Sequence, residues 1–271
     1  MTRLCLTLKN IKLHRPEMLE QITPLILTYN ESLNIGRTLE RLIWAKRIVV
    51  IDSFSDDETL EILNSYPQVE VFQRQFDHFA GQCNYGLSQV RTEWVLSLDA
   101  DYLLSNELIE ELCLLTDQLT KDAYLAKFKY CVFGQPLRGN LLPPRKVLYR
   151  KDRAIYIEDG HAHRVQVAGE SGCLAGYISH DDRKPLSRWL QSQDRYLLIE
   201  AQKLLTTPSS ELSFGDRLRK QKVIAPIVIL FYCLILKGGI LDGWAGWYYA
   251  WQRTLAEILL AIRLIELERH K

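Results

Sequence analysis

Four short apolar runs separated by stretches of helical periodicity constrain this chain most: Ile22–Thr28, Arg47–Ile51, Val69–Gln73 and Trp94–Leu98. Strands that alternate with helices at such short intervals predict an α/β fold with a mostly parallel, doubly wound, Rossmann-like sheet. Right-handed crossovers bring the carboxyl ends of these strands to one edge, where open α/β sheets bind ligands. The ends are polar: Thr28-Tyr29-Asn30-Glu31, Asp52 through Asp57, and Asp99-Ala100-Asp101. Three polar endings on one edge predict a site as well as helix caps. The connecting helices are expected from Ser32 to about Ala45, from Asp56 to Ser65 and from Phe79 to Val90. Asn30 or Ser32 is placed to cap the first.

Asp99 and Asp101 stand two residues apart on an extended segment, and side chains alternate with period two, so both carboxylates point the same way. A pair of hard oxygen donors at the end of a buried strand suits Mg²⁺ or Mn²⁺ shared with a substrate's phosphates. D-x-D is a common tripeptide. Alone it favours a turn whose acids cap the helix that starts near Ser105.

Thr28-Tyr29-Asn30-Glu31, the Val50–Asp57 turn and Trp94–Asp101 together resemble family 2 glycosyltransferases of the GT-A fold. The resemblance implies that Thr28, Tyr29, Asn30, Glu31, Asp52 and Asp99 hold the nucleotide. It also implies that Asp99 and Asp101 hold a divalent metal on the sugar diphosphate, with His180 as a third ligand. The donor is then a nucleotide-sugar, a UDP-sugar by preference, and the chemistry inverting. The order Lys237 to Gly246 after an apolar helix resembles the lipopolysaccharide-core glucosyltransferase subgroup, which implies a glycan or glycolipid acceptor in cell-envelope synthesis.

An inverting transferase needs a base within reach of the acceptor hydroxyl. Asp159, at the end of the apolar run Ala154–Ile157, is the first choice, and Glu158 the second. The same subgroup has Val-His-Glu after this strand. Here Ala162-His163-Arg164 puts an arginine at the acid's place, and Tyr102 stands where the subgroup reads D-x-D-E. Further strands are expected at Ala123–Phe133 and Arg145–Arg150, a helix at Asn106–Gln118, and a long helix after Pro185 with Arg188 and Arg195 as candidate diphosphate contacts.

Two other readings stay open. His161, His163, His180, Asp181 and Asp182 could form the metal site of a phosphohydrolase. Arg164 also leaves room for a catalytically inactive GT-A scaffold at a membrane.

A formal net charge of +1 provides no field to recruit nucleic acid, and six cysteines without C-x-x-C spacing predict free thiols in a reducing compartment. Residues 1–21 read as a preamble without a secretory signal, residues 22–205 as the catalytic domain, and 206–271 as a helical extension. In that extension the basic residues Arg217, Arg219, Lys220 and Lys222 precede an uncharged run, Val223–Leu236. The run is short of the ~20 residues a spanning helix needs. Aromatic residues from Trp244 to Trp251 and an amphipathic helix follow. Residues 217–265 therefore predict peripheral or monotopic attachment to the cytoplasmic face of the membrane. The alternative is a helical pair packed on the catalytic domain or on another subunit.

Overall fold

The computed structural model describes residues 19–114, 119–159 and 162–269; for residues 158, 159 and 162–164 it describes the backbone alone. Cys5, Leu115, Gln118 and His161 lie outside the described residues. The first half runs β1 (Ile22–Thr28), α1 (Ile35–Glu40), β2 (Ile48–Asp52), α2 (Thr59–Asn64), β3 (Val69–Gln73), α3 (Phe79–Gln89) and β4 (Trp94–Asp99). Strands β3, β2, β1 and β4 lie side by side and parallel in that order. Every residue of β2 is buried, as expected of a strand covered by helices on both faces. The register pairs Thr28 with Asp52 and Leu27 with Asp99, so the three polar strand ends share one edge.

Beyond β4 the sheet becomes mixed. Next come β5 (Tyr102–Leu104), α4 (Asn106–Leu114), β6 (Ala123–Val132), β7 (Gln135–Pro136), β8 (Arg145–Arg150) and β11 (Ser171–His180). β8 pairs antiparallel with both β4 and β6, β11 runs parallel to β6, and β5 closes the edge antiparallel to β11. β6 and β8 are joined by a loop without a helix, which an antiparallel pair permits and a parallel one does not. A separate hairpin, β9 (Ala154–Asp159) and β10 (Ala162–Val167), packs on α3. This α/β sheet, parallel over its first four strands and mixed beyond, agrees with the GT-A expectation.

α1 and α2 start later than their periodicity predicts, because polar side chains divert the backbone, and α1 gives way after Glu40 to tight turns closed by the Arg41, Leu42 and Ala45 N–H groups. Asp56 bonds Asn30, and Asp57 accepts from Thr59 and from the Ser32 N–H. Side chains that offer the backbone such alternatives compete with helix formation.

The C-terminal helices are α5 (Leu186–Thr206), α6 (Phe214–Lys220), α7 (Ile224–Phe231) and α8 (Trp244–Arg269), with a π turn at Tyr232–Leu236 after α7. Leu197, Ala201 and Leu204, spaced along one face of α5, pack on Leu260 and Leu264 of α8. The helix before residue 206 and the helix after it thus share a core. The extension also docks on the catalytic sheet, where Val132 and Leu137 meet Cys233, Leu234, Ala245 and Tyr249. Its outer face leaves Phe231, Ile235, Leu236, Leu241, Trp244 and Trp251 exposed. Among the described residues no helix is long and apolar enough to cross a membrane.

Candidate active site

Asp52 closes β2 with its carboxylate wholly buried. One oxygen accepts from the Thr28 and Ser55 hydroxyls at 2.9 and 2.6 Å, and the other from the Ser55 N–H at 2.9 Å. Asp52 thereby ties the end of β1 to the Ser53–Asp57 turn. Asn30, at φ 55°, gives its N–H to the Ser55 hydroxyl, and its amide exchanges two hydrogen bonds with Asp56. Asn tolerates this left-handed conformation better than most residues. Tyr29 stands exposed at the rim.

Glu31 is held by Lys184, whose Nζ lies 2.5 Å from its carboxylate, and by the Asn34 amide at 2.9 Å. Burial raises the Glu31 pKa to about 7 although the Lys184 ammonium opposes the shift. Asn34, itself buried, also donates to Asp182 and accepts from Arg37 and the Arg183 N–H. Arg37 and Arg183 both pair with Asp181, whose second oxygen accepts the Gly134 N–H at 2.9 Å. The start of α1 is therefore latched to the end of β11.

The D-x-D turn sits between these groups. Thr38 donates to the Ala100 carbonyl, and the Asp181 N–H to the Asp101 carbonyl. Ala100 is buried in the core, with Asp99 and Asp101 partly exposed on either side. His180 Nε2 contacts Asp101 Oδ2 at 2.9 Å, and Tyr102 and Tyr130 meet the imidazole edge-on. Burial opposes charge on both groups, and their mutual attraction outweighs it: His180 is held above its usual range and Asp101 below.

Asp101 Oδ1 is buried with no hydrogen-bond partner among the described residues. An orphaned carboxylate oxygen beside Asp99 fits a hard divalent cation that takes its remaining ligands from phosphates and water. Among the described residues no three His, Cys, Asp or Glu side chains converge as a metal cage. His180 meets Asp101 directly, and Asp181 is committed to two arginines. The backbone of β9 runs alongside α3, with Tyr156 bonded to Asn84 through its main chain and to Ser97 of β4 through its hydroxyl. Asp159 lies three residues beyond Tyr156. The side chains of Glu158, Asp159, His163 and Arg164 lie outside the described residues.

The family model of glycosyl transferase family 2 matches residues 25–180, from β1 through β11. The chain belongs to glycosyl transferase family 2. This family 2 chain is 23% identical over 258 residues to the lipopolysaccharide core biosynthesis glycosyltransferase LpsC of Rhizobium meliloti (strain 1021), covering 90% of its own length and 92% of LpsC. It is 30% identical over 109 residues to an uncharacterized glycosyltransferase of Rickettsia prowazekii (strain Madrid E), which covers 40% of this chain and 37% of that one. Among solved structures, S. aureus TarS 1–349 in complex with UDP-GlcNAc matches at 17% identity and TM-score 0.49 over 92% of each chain. Glucosyl-3-phosphoglycerate synthase from Mycobacterium tuberculosis, in complex with Mn2+, UDP and phosphoglyceric acid, matches at 12% identity and TM-score 0.48 over 74% of this chain and 84% of that one.

Sequence reasoning missed several residues of this family 2 site: Asn34, Arg37 and Lys184, and the latching role of Asp181. Nothing local marks them. Arg37 reads as the solvated face of α1, and its partner Asp181 is 144 residues away.

Proposed function

We propose that the protein is an inverting glycosyltransferase that moves a sugar from a nucleotide-sugar, a UDP-sugar in the first instance, to a hydroxyl of a cell-envelope glycolipid. The observation that carries this reading is the D-x-D turn. It closes β4 beside the ends of β1 and β2, and a buried oxygen of Asp101 has no partner among the described residues. Family membership supports the transfer chemistry, and likeness to LpsC along nearly its whole length supports an acceptor of the lipopolysaccharide-core kind.

Asp99 and Asp101 would hold Mg²⁺ or Mn²⁺, with His180 fixing Asp101. When bound, the ion would supply positive charge against the diphosphate leaving group. Thr28, Tyr29, Asn30, Glu31 and Asp52 would form and stiffen the nucleotide side. Asp159, or Glu158 beside it, would take the proton from the acceptor hydroxyl. The acceptor oxygen forms its bond to the anomeric carbon from the face opposite the diphosphate as the bond to the diphosphate breaks, which inverts that carbon.

The outer face of the C-terminal helices supports peripheral attachment to the cytoplasmic face of the membrane. Two of the four expected basic residues are ion-paired within the protein: Arg219 with Glu200 and Glu257, and Lys222 with Glu268. Attachment would then rest more on the exposed tryptophans and aliphatic side chains than on charge.

Calorimetric titration with UDP, GDP and dTDP, each with Mn²⁺ and with EDTA, tests the reading on wild type and Asp101→Ala. Metal-dependent binding of one nucleotide, lost in the variant, is the expected result. Failure of all three nucleotides to bind would overturn it.

A further inference from the structure

The β9–β10 hairpin carries Asp159 at the end of β9, yet it forms a two-stranded sheet of its own, outside the main sheet. A two-stranded hairpin is marginal by itself and takes its place from what it packs on. Part of that packing is apolar: Tyr156, Val165 and Val167 join the cluster that holds Val95 and Cys83. Apolar burial is non-directional, so it holds the hairpin down without fixing where along the sheet it sits.

Two directional devices fix that position, and both act on Tyr156. Asn84 of α3 donates its amide to the Tyr156 carbonyl and accepts the Tyr156 N–H, each at 2.9 Å. Both main-chain groups of a strand residue face one edge, so Asn84 takes the place of a neighbouring strand on the edge of β9 that β10 leaves open. The Tyr156 hydroxyl lies 2.7 Å from Ser97 Oγ on β4 and 2.7 Å from the Tyr149 hydroxyl on β8. Tyr149 and Tyr156 are both buried, and burial pushes both phenols up, which keeps them protonated and the chain of hydroxyls uncharged. Phenylalanine at these positions would fill nearly the same space with no buried hydroxyl to satisfy. A bonded hydroxyl chain instead specifies one arrangement. Both of its ends lead to the candidate site. Ser97 stands two residues before Asp99 on the same face of β4. Tyr156 stands three residues before Asp159 on β9, roughly 10 Å along the strand.

We propose that Asn84 and Tyr156 are positioning residues, which set where the end of β9 stands relative to the D-x-D turn and so the place from which the base acts. The proposal rests on the transferase reading, with Asp159 or Glu158 as that base, and adds what holds the base in place. The polar groups of Asn84 and Tyr156 are spent inside the fold, so each acts through the strand that carries the carboxylates.

Steady-state release of UDP from UDP-glucose, UDP-galactose and UDP-N-acetylglucosamine tests this on the full chain, with water and with deacylated lipopolysaccharide as acceptors. Wild type, Asn84→Ala and Tyr156→Phe are compared, each alone and combined with Asp159→Asn or Glu158→Gln. Every sample is titrated in parallel with UDP and Mn²⁺ in the calorimeter. Tyr156→Phe keeps the ring in the core and so keeps the fold should Asn84→Ala lose it. The expected result is a kcat lowered by about 10- to 100-fold in both variants, the cost of a misplacement of about 1 Å. KM for the UDP-sugar and UDP affinity stay unchanged, and the loss shrinks once the base is already gone, because residues that act as a unit are not additive. A merely structural role would lower the melting temperature and leave the loss the same with or without the base. Unchanged turnover in a variant, or a loss that persists in full without the base, overturns the role of that residue alone. UDP release that survives both Asp159→Asn and Glu158→Gln, or no release from a wild type that binds UDP, overturns the base assignment and this inference with it. Absence of UDP binding in wild type overturns the transferase reading as well.

Discussion

His180 Nε2 lies 2.9 Å from Asp101 Oδ2, bridging residues 79 apart in sequence at the end of β4 and the end of β11. A partner that orients a metal-binding carboxylate affects metal affinity without touching the ion, typically by 10–100-fold. His180→Ala should therefore raise the Mn²⁺ concentration needed for half-maximal UDP binding by about 10–100-fold, whereas Asp101→Ala should abolish metal-dependent binding. Calorimetry across a Mn²⁺ series checks both. An unchanged Mn²⁺ dependence in His180→Ala would reduce the histidine to a packing role.

Glu31 predicts a pH dependence of stability. Burial raises its folded pKa to about 7, above the unfolded carboxylate value. The folded state therefore binds this proton more tightly, and the resulting stability is fully present below the unfolded pKa and lost as pH rises through about 7. A shift of this size corresponds to on the order of 3 kcal/mol. Urea unfolding of wild type between about pH 5 and pH 8 should show this decline, and Glu31→Gln should flatten it. Parallel pH profiles for the two proteins would count against the assignment.

Asp159→Asn should lower the turnover number by about 10²–10⁴-fold, the usual worth of a general base, with UDP affinity unchanged. Glu158→Gln should have the smaller effect. If Glu158→Gln proves the more damaging, the roles exchange. Steady-state kinetics beside nucleotide calorimetry separates loss of the base from loss of the donor site.

A Cβ added at Gly246 would stand 1.8 Å from the Gly239 carbonyl oxygen, a clash with backbone that cannot rotate away. Gly246→Ala should cost about 1–3 kcal/mol by overpacking and lower the melting temperature by several degrees, read by differential scanning calorimetry. Wild-type stability in this variant would mean that α8 can separate from the Gly239–Asp242 turn without cost.

Co-sedimentation with phosphatidylcholine vesicles containing phosphatidylglycerol tests the outer face of α8. The wild type should pellet with the vesicles, and replacement of Trp244, Trp247 and Trp251 by serine should release most of it. Raising the salt should matter less, because apolar burial is not screened as charge attraction is. Complete release of the wild type by salt alone would shift the attachment to the basic residues.

β1, β2 and β4 were legible because buried strands write their apolar character locally, and the ends Thr28, Asp52 and Asp99 stand out as polar breaks after it. The first helices start later than their periodicity predicts, since Asp56 and Asp57 look like helix starters but bond Asn30, Ser32 and Thr59, and α1 gives way after Glu40 to tight turns. The expectation that residues 217–265 either meet a membrane or pack on the catalytic domain met a structure with both kinds of face. One side is docked through Tyr249 and Leu234, and the other leaves Trp244 and Trp251 exposed.

Sequence alone determined the α/β class, the shared edge of the first strands and the D-x-D pair, because hydrophobic periodicity and strand ends are properties of adjacent residues. Tertiary structure decided what surrounds that pair: the His180 contact, the latch from Asn34 and Arg37 to Asp181 and Asp182, and the packing of Tyr249 on Tyr130. These contacts join residues far apart in the chain, and which of them meet depends on β11 lying beside β6 and β5, and on α8 folding back against β6. Sheet order and helix docking minimise the free energy of the whole core, and no local stretch of sequence encodes that sum.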